Sequence, residues 1–179
     1  AGELIRLLAA HPHVEIACLT SRSEEKVLAR TLVPALGKRE DLFIEPFNLN
    51  HVIDKSDVVF LTLPHTSAME FVPDFYKAKK IVIDLSADFR LRDYKTYEKW
   101  YGLKHTAKTY LKNAIYGLPE LYREQIKKSN LIANPGCYPT GAALGLIPLL
   151  QSNLISTDSI VIDSKSGVSG AGKKLSEST

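Results

Sequence analysis

The residue best suited to chemistry is Cys137, within Ile132-Ala-Asn-Pro-Gly-Cys-Tyr-Pro-Thr-Gly141. An apolar strand ends there, Pro135-Gly136 turns the chain, and a helix is expected to begin at the thiol. Pro139 is tolerated in that first turn because its missing N–H would be unpaired in any case. A sulfur at a helix N-terminus faces backbone N–H groups and the positive end of the dipole, and both favour the nucleophilic thiolate. Free cysteine is equally common as an inert core side chain, and the local pattern alone leaves both readings open. Cys18 offers the contrast: between Ala17 and Leu19 in an apolar run, it reads as a packed strand residue.

Other groups fall at strand ends. Ser21 and Arg22 occupy the turn after an early strand, where a dinucleotide-binding unit specific for NAD would carry an acidic residue to read the ribose hydroxyl. A hydroxyl plus a guanidinium suits a 2′-phosphate instead, so the expected cofactor is NADP, although Thr-Ser-Arg taken in isolation reads as an ordinary exposed turn. His65 follows a buried strand in Leu63-Pro-His-Thr66, and ligands of parallel sheets gather at the carboxyl ends of strands. It is therefore assigned to the cofactor edge together with Pro64, and so is Ser86 after the next strand. His11, His13, His51 and His105 lie among polar neighbours and read as solvated surface histidines.

A Gly-rich stretch, Lys165-Ser-Gly-Val-Ser-Gly-Ala-Gly172, sits near the end of the sequence. From Gly167 it imitates the G-x-x-x-x-G-K loop of nucleoside triphosphatases, but Lys174 stands where Ser or Thr must hold Mg²⁺. The residues after it make a poor helix, which argues against an NTPase fragment.

These groups need elements to position them. Residues 3–10 place Leu4, Ile5, Leu7 and Leu8 on one helical face, and His11-Pro12 stops that helix. Strands are expected over 14–19, 58–63, 80–85, 130–133 and 159–164, the last from Ile160-Val161-Ile162. Helices are expected over 67–77, 120–128 and 139–151, with the Tyr- and Lys-rich 93–110 as a surface-packed helix or ordered loop. Strand, helix and strand in alternation imply a parallel sheet flanked by helices, an α/β doubly wound, Rossmann-like fold. Ala1-Gly2 reads as the end of a Gly-rich pyrophosphate loop whose first strand lies upstream, so an interior piece of a longer protein is expected.

The stretch from Ile132 to Pro148, with Pro-Gly-Cys-Tyr followed by Pro-Thr-Gly and a Gly-Leu-x-Pro element, resembles the active-site signature of the N-acetyl-γ-glutamyl-phosphate reductase family. Leu19-Thr-Ser-Arg22, Asp84-Leu-Ser-Ala-Asp-Phe-Arg90, Tyr116-Gly-Leu-Pro-Glu-Leu121 and the Gly-rich stretch are similar to family segments in the same order. The resemblance implies an NADP-dependent phosphorylating aldehyde dehydrogenase of arginine biosynthesis. In it, Cys137 would attack N-acetyl-γ-glutamyl phosphate and hold a thioester that NADPH reduces to N-acetylglutamate 5-semialdehyde. It further implies that Arg90 faces the phosphate of the substrate; the residues alone equally allow a salt bridge to Asp88 or Asp93. Ser166 and Gly167 would lie beside the substrate and Gly170 beside the nicotinamide. The acid/base histidine of the family is expected downstream. Residues 1–148 would form the dinucleotide-binding domain and 149–179 the opening of an α+β substrate and dimerisation domain, in a homo-oligomer, dimer or tetramer.

Aspartate-semialdehyde dehydrogenase shares the chemistry, but its nucleophile segment reads Asn-Pro-x-Cys followed by Ser or Thr rather than Cys-Tyr-Pro-Thr. A carrier-protein-linked aminoadipyl- or glutamyl-phosphate reductase would share the Cys-Tyr motif and differ at the acyl group. A non-catalytic nucleotide-binding remnant would keep the fold without the chemistry. Composition excludes other classes: 179 residues with 45% hydrophobic and 24% charged content and a net charge of +3 suit a cytoplasmic globular protein with a small-molecule substrate. Charges are spread evenly, with no basic face for nucleic acid and no apolar run of membrane-span length. Two distant cysteines argue against a disulfide framework or a four-ligand zinc site, and no metal is expected.

Overall fold

A computed structural model describes residues 1–36 and 42–167 of the chain. These divide into two compact units, the first Ala1–Asn134 and the second beginning at Pro135.

The first unit opens with α1 (Gly2–Ala9), pinned by an ion pair between Glu3 and Arg6 and closed at Ala10. β1 (Leu19–Ser21), β2 (Val27–Leu28), α2 (Ala29–Leu32), a 3₁₀ turn (Pro34–Leu36) and β3 (Phe43–Pro46) follow. β3 pairs with β1 in parallel and with β2 antiparallel, so the small sheet has the order β1-β3-β2. The strand expected over 14–19 begins only at Leu19. The ladder to β3 starts with Leu19 against Ile44, and among the described residues the β-propensity upstream finds no strand to pair with. Ala29, Val33 and Leu36 are buried beneath this sheet, with Ile5, Ala9, Leu19, Leu42 and Ile44 packed around them.

The larger sheet is wholly parallel. Next in the chain come α3 (Leu49–Lys55), capped by the Asn48 side chain accepting from the His51 N–H, then β4 (Val58–Leu61), α4 (Ala68–Lys77) and β5 (Ile81–Asp84). α5 (Tyr94–Tyr101), a 3₁₀ segment (Lys108–Asn113), β6 (Ile115–Tyr116), α6 (Pro119–Ile126) and β7 (Leu131–Ala133) complete the unit. The strand order is β4-β5-β7-β6, with Val59 against Val82, Val82 against Leu131 and Ile115 against Ile132. All three β7 residues are buried, as befits a strand covered on both faces.

The core lies between this sheet and the helical face of Ala68, Met69, Val72 and Phe75, whose spacing puts one stripe of α4 inward. Val72 and Phe75 are fully buried, each contributing roughly 1.5–3 kcal/mol by leaving water. Segment 93–110 is more than a surface helix. Asp93 caps α5 by accepting from the Lys95 and Thr96 N–H groups, Gly102 ends it at φ 71°, and Tyr97 is completely buried in the core. Gly117 lies so close to β7 that a Cβ would come within 2.9 Å of the Ile132 side chain and 3.2 Å of the Ala133 carbonyl.

The second unit, as described, is α7 (Cys137–Gln151) and an irregular segment. α7 is apolar around much of its circumference, and Tyr138, Leu144 and Leu149 are exposed. The strand expected over 159–164 does not form: these residues carry no regular structure, and Val161 is 91% exposed. Three β-branched residues supply propensity, but a strand exists only with a ladder partner, and among the described residues it has none.

Candidate active site

The densest polar chemistry sits where β4 and β5 end. Asp84, the last residue of β5, is fully buried; its Oδ1 accepts the Ser86 N–H and its Oδ2 the Ser86 hydroxyl, both at 2.9 Å. Burial pushes this carboxyl up to about 6, against the pull of the two Ser86 hydrogen bonds and of Arg90; the like charge of Asp88 raises it further. The Ser86 oxygen also accepts the Asp88 N–H at 3.1 Å, so one hydroxyl folds the turn between two aspartates.

Asp88 is likewise fully buried, and its carboxyl group is met by N–H and O–H donors. Oδ1 accepts from the Thr66 N–H at 2.7 Å and the Tyr97 hydroxyl at 3.0 Å. Oδ2 accepts from the N–H groups of Ala68 at 3.0 Å and Met69 at 3.3 Å. The first turn of α4 is thus capped from about twenty residues away, while Ser67, at the N-cap position, makes no side-chain cap. The phenol of Tyr97 is driven well above its ordinary range by burial and by its bond to Asp88, which keeps it a donor.

His65, assigned from sequence to the cofactor edge, lies exposed in the loop after β4, next to exposed Pro64. Its Nδ1 accepts the Ala87 N–H at 3.0 Å, so this nitrogen is the unprotonated one and Nε2 carries the hydrogen. Thr66 beside it has φ 77°, the left-handed region that a β-branched residue enters only under constraint. Arg90 donates from Nε to the Asn134 carbonyl at 2.7 Å and from Nη2 to the Leu85 carbonyl at 3.0 Å, tying the ends of β5 and β7 together. Asp88 and Asp93, its alternative partners, spend their carboxylates on α4 and α5 instead.

His105 corrects the sequence reading. It is 1% exposed, not solvated: Nε2 donates to the Asp88 carbonyl at 2.8 Å, and the ring meets Phe89 and Tyr97 edge-on at 5.4 and 5.0 Å. Burial pushes it below its ordinary value, and its Nδ1 has no hydrogen-bond partner among the described residues. The turn at Gly102 carries His105 back over the core, and polar neighbours in sequence gave no sign of this. His11, His13 and His51 are exposed. The two buried aspartates were also passed over as site residues. A carboxylate ending the apolar run Ile81-Val82-Ile83-Asp84 was the available signal, since a buried charge must be answered by something.

The remaining sequence-assigned residues fall elsewhere. Ser21 ends β1 in the smaller sheet, its Oγ accepting the Ser23 N–H at 3.2 Å, and Arg22 is exposed immediately after it. In the second unit, Cys137 is the first residue of α7 and is exposed, after Gly136 at the N-cap with φ −70° and ψ 157°. The Thr140 N–H and hydroxyl both donate to the Gly136 carbonyl, at 3.0 and 2.8 Å, setting the first helical turn beneath the thiol. Cys18 lies just before β1, partly buried against the core, and burial together with the Glu45 carboxylate pushes its thiol up. Ser166 and Gly167 are exposed, the Ser166 hydroxyl donating to the Gly167 carbonyl at 3.2 Å; Gly170 lies outside the described residues. Among the described residues no group of three or more His, Cys, Asp or Glu could hold a metal ion, and no helix is long and apolar enough to cross a membrane.

The structure therefore places His65, Ser86 and Arg90 in the loops after β4 and β5, each hydrogen-bonded within that polar region, with Ser21 at the end of β1 in the smaller sheet and Arg22 just after it. Residues 1–129 match the family model of the semialdehyde dehydrogenase NAD binding domain, and residues 137–179 that of the semialdehyde dehydrogenase dimerisation domain. Proteins named N-acetyl-gamma-glutamyl-phosphate reductase are similar over nearly the whole chain. That of Pelotomaculum thermopropionicum is 48% identical over 97% of this chain and 50% of its own length. That of Desulfotalea psychrophila is 50% identical over 96% and 49%, and that of Methanopyrus kandleri 49% identical over 99% and 52%. The chain spans about half the length of the curated relatives it matches. With a parallel α/β sheet, a strand-end polar cluster and a family match over most of its length, the chain belongs to the semialdehyde dehydrogenase family.

Proposed function

We propose that the protein of which this chain is part reduces N-acetyl-γ-glutamyl phosphate to N-acetylglutamate 5-semialdehyde and phosphate with NADPH, in arginine biosynthesis. The observation that carries this reading is Cys137: an exposed thiol on the first residue of a 15-residue helix, directly after the Pro-Gly turn that ends β7. Helix N-termini favour anionic groups, and the nucleophile here must act as a thiolate.

Each step of the reaction then has a balance. The Cys137 sulfur attacks the acyl carbon, the C–S bond forms, and the C–O bond to phosphate breaks with phosphate leaving. NADPH, when bound, supplies the hydride that reduces the thioester carbonyl. That addition would leave a tetrahedral alkoxide on Cys137, whose collapse re-forms the carbonyl, breaks the C–S bond and returns the electron pair to the Cys137 sulfur as the aldehyde departs. Arg90 is placed in this reading toward the departing phosphate, with Ser166 and Gly167 beside the acyl group. Ser21 and Arg22 fit the 2′-phosphate of NADP: the end of β1 offers a hydroxyl and an exposed guanidinium where NAD specificity would place a carboxylate. Pro64, His65, Ser86 and Gly170 complete the cofactor contacts. The dinucleotide-binding domain is taken to residue 148 and the substrate domain from 149, in a cytoplasmic homo-oligomer.

The test is an assay of the intact protein in the phosphorylating oxidative direction, with NADP⁺ and phosphate, comparing N-acetylglutamate semialdehyde with aspartate semialdehyde. Faster NADPH formation with the acetylated substrate is expected. Preference for the aspartyl compound would overturn the substrate assignment.

A further inference from the structure

We propose that Asp88 is a positioning residue for the cofactor, holding the loop after β4 in the one shape that would let Pro64 and His65 meet the dinucleotide. The inference rests on the reading above for the identity of the ligand, but its geometry stands independently.

The loops after β4 and β5 follow neighbouring parallel strands, and they are stitched in both directions. His65 reaches from the first loop to accept the Ala87 N–H of the second. Asp88 reaches from the second to accept the N–H groups of Thr66, Ala68 and Met69 of the first. Asp88 is itself fixed from behind. Its N–H is taken by Ser86, its carbonyl by His105, and its Oδ1 by the Tyr97 hydroxyl, all within the buried layer.

The segment being held does not choose its conformation unaided. Thr66 sits at φ 77°, which sterics disfavour for a β-branched side chain. Its side chain is exposed, and two bonds hold that angle: the turn bond from the Ser67 N–H to the Pro64 carbonyl at 3.3 Å, and the 2.7 Å bond from its own N–H to Asp88, the one that ties it to the buried layer. A helix cap alone would need only the Ala68 and Met69 bonds. The Thr66 bond extends the hold of Asp88 to the exposed strand-end loop, where ligands of parallel sheets bind.

Without that carboxylate Thr66 relaxes, and a binding-competent loop becomes a fraction of the population, so apparent affinity falls by that fraction. In the full-length enzyme, Asp88→Asn should raise the Kd and KM for NADPH by about tenfold. KM for the acyl phosphate and the rate of Cys137 alkylation should change by less than about twofold. Amide exchange at Thr66, Ala68 and Met69 should accelerate whether or not cofactor is present. Thr66→Gly, which accepts φ 77° without strain, should recover at least about threefold of the lost NADPH affinity in the Asp88→Asn background. A purely structural cap would not respond in that way.

If Asp88→Asn does not fold, Tyr97→Phe removes one fixing bond with the ring retained, and should shift NADPH affinity the same way by about two- to threefold. A variant that melts earlier yet binds NADPH as the parent does would overturn the proposal. Should the parent bind NADPH but reduce no N-acetyl-γ-glutamyl phosphate while the variants weaken nucleotide binding as described, the substrate reading fails and the positioning role stands. Should the parent bind no nicotinamide dinucleotide at all, both fall.

Discussion

The loops after β4 and β5 and the start of α7 are both places where a strand gives way to a helix, yet they are built in opposite ways. In the first, two fully buried carboxyl groups are met by donors from their own unit, Asp84 by the N–H and hydroxyl of Ser86 and Asp88 by a full set of four, and α4 is capped by Asp88 from a distant segment. In the second, the N-cap is Gly136, which has no side chain to cap with, and the first helical residue is an exposed thiol. Saturated polar groups define a shape and are costly to disturb. An exposed nucleophile contributes little to shape and is free to react. The contrast gives local shape to Asp84 and Asp88, and leaves Cys137 available for the bond making proposed above.

Substitutions on the two sides should therefore separate activity from stability. Cys137→Ser is expected to lower turnover of the intact enzyme by roughly a thousandfold or more. NADPH affinity and melting temperature should stay near those of the parent, since an exposed side chain gives up little packing. Steady-state kinetics beside a nucleotide titration reads both, and substantial residual turnover would argue against a covalent intermediate. Asp88→Ala should do the reverse and destabilise by about 3 kcal/mol or more, because it strands the buried N–H groups of Ala68 and Met69 and the Tyr97 phenol, and releases the Thr66 N–H of the exposed loop. Urea denaturation measures this, and a loss under about 1 kcal/mol would mean that water replaces the carboxylate at little cost.

Those two sides were not equally legible in the sequence. The thiol helix was readable because its signals are local: a strand end, a Pro-Gly turn, and a proline tolerated in the first helical turn. That β4, β5 and β7 pair in parallel is also legible, from short apolar runs alternating with helical periodicity, while their order in the sheet is not. What escaped was everything that depends on distant partners. His105 reads as a surface residue among Lys104, Thr106 and Lys108, and only the fold brings it onto the Asp88 carbonyl. Asp88 reads as a surface salt-bridge partner, yet its four donors come from residues 9 to 22 positions away. Residues 159–164 erred the other way, since β-branching is a local signal and strand formation is not.

A smaller effect sharpens the stability half of the comparison through pH. Burial raises Asp84 from 3.8 to about 6, so between those values the folded protein keeps a proton that the unfolded chain has released. The contribution of this group is thus most favourable below about pH 4, declines as pH rises, and reaches its full cost above about pH 6, at most about 3 kcal/mol. His105 acts oppositely. Its lowered value means the unfolded chain takes up a proton first, so its contribution falls as pH drops below about 6.5. The difference between parent and Asp84→Asn cancels the histidine. It should shift in favour of the variant by roughly 1–3 kcal/mol between pH 4 and pH 7. A pH-independent difference would show that Ser86 and nearby solvent neutralise the burial.

The gentlest test compares the two thiols within one molecule. Cys18 is partly buried and its thiol is pushed up by burial and by Glu45, so at pH 6.5 little of it is thiolate. Cys137 is exposed on the first residue of a helix, where an incoming reagent meets both the sulfur and the positive end of the dipole. With limiting iodoacetamide and mass-spectrometric readout of each peptide, Cys137 should be modified at least about tenfold faster than Cys18. Unfolding in urea should bring the two rates to within about twofold, because exposure and dipole are properties of the fold and not of the residue type. Equal rates in the native protein would remove the distinction between a reactive strand-to-helix junction and an inert one, and with it the reason to place bond making at α7.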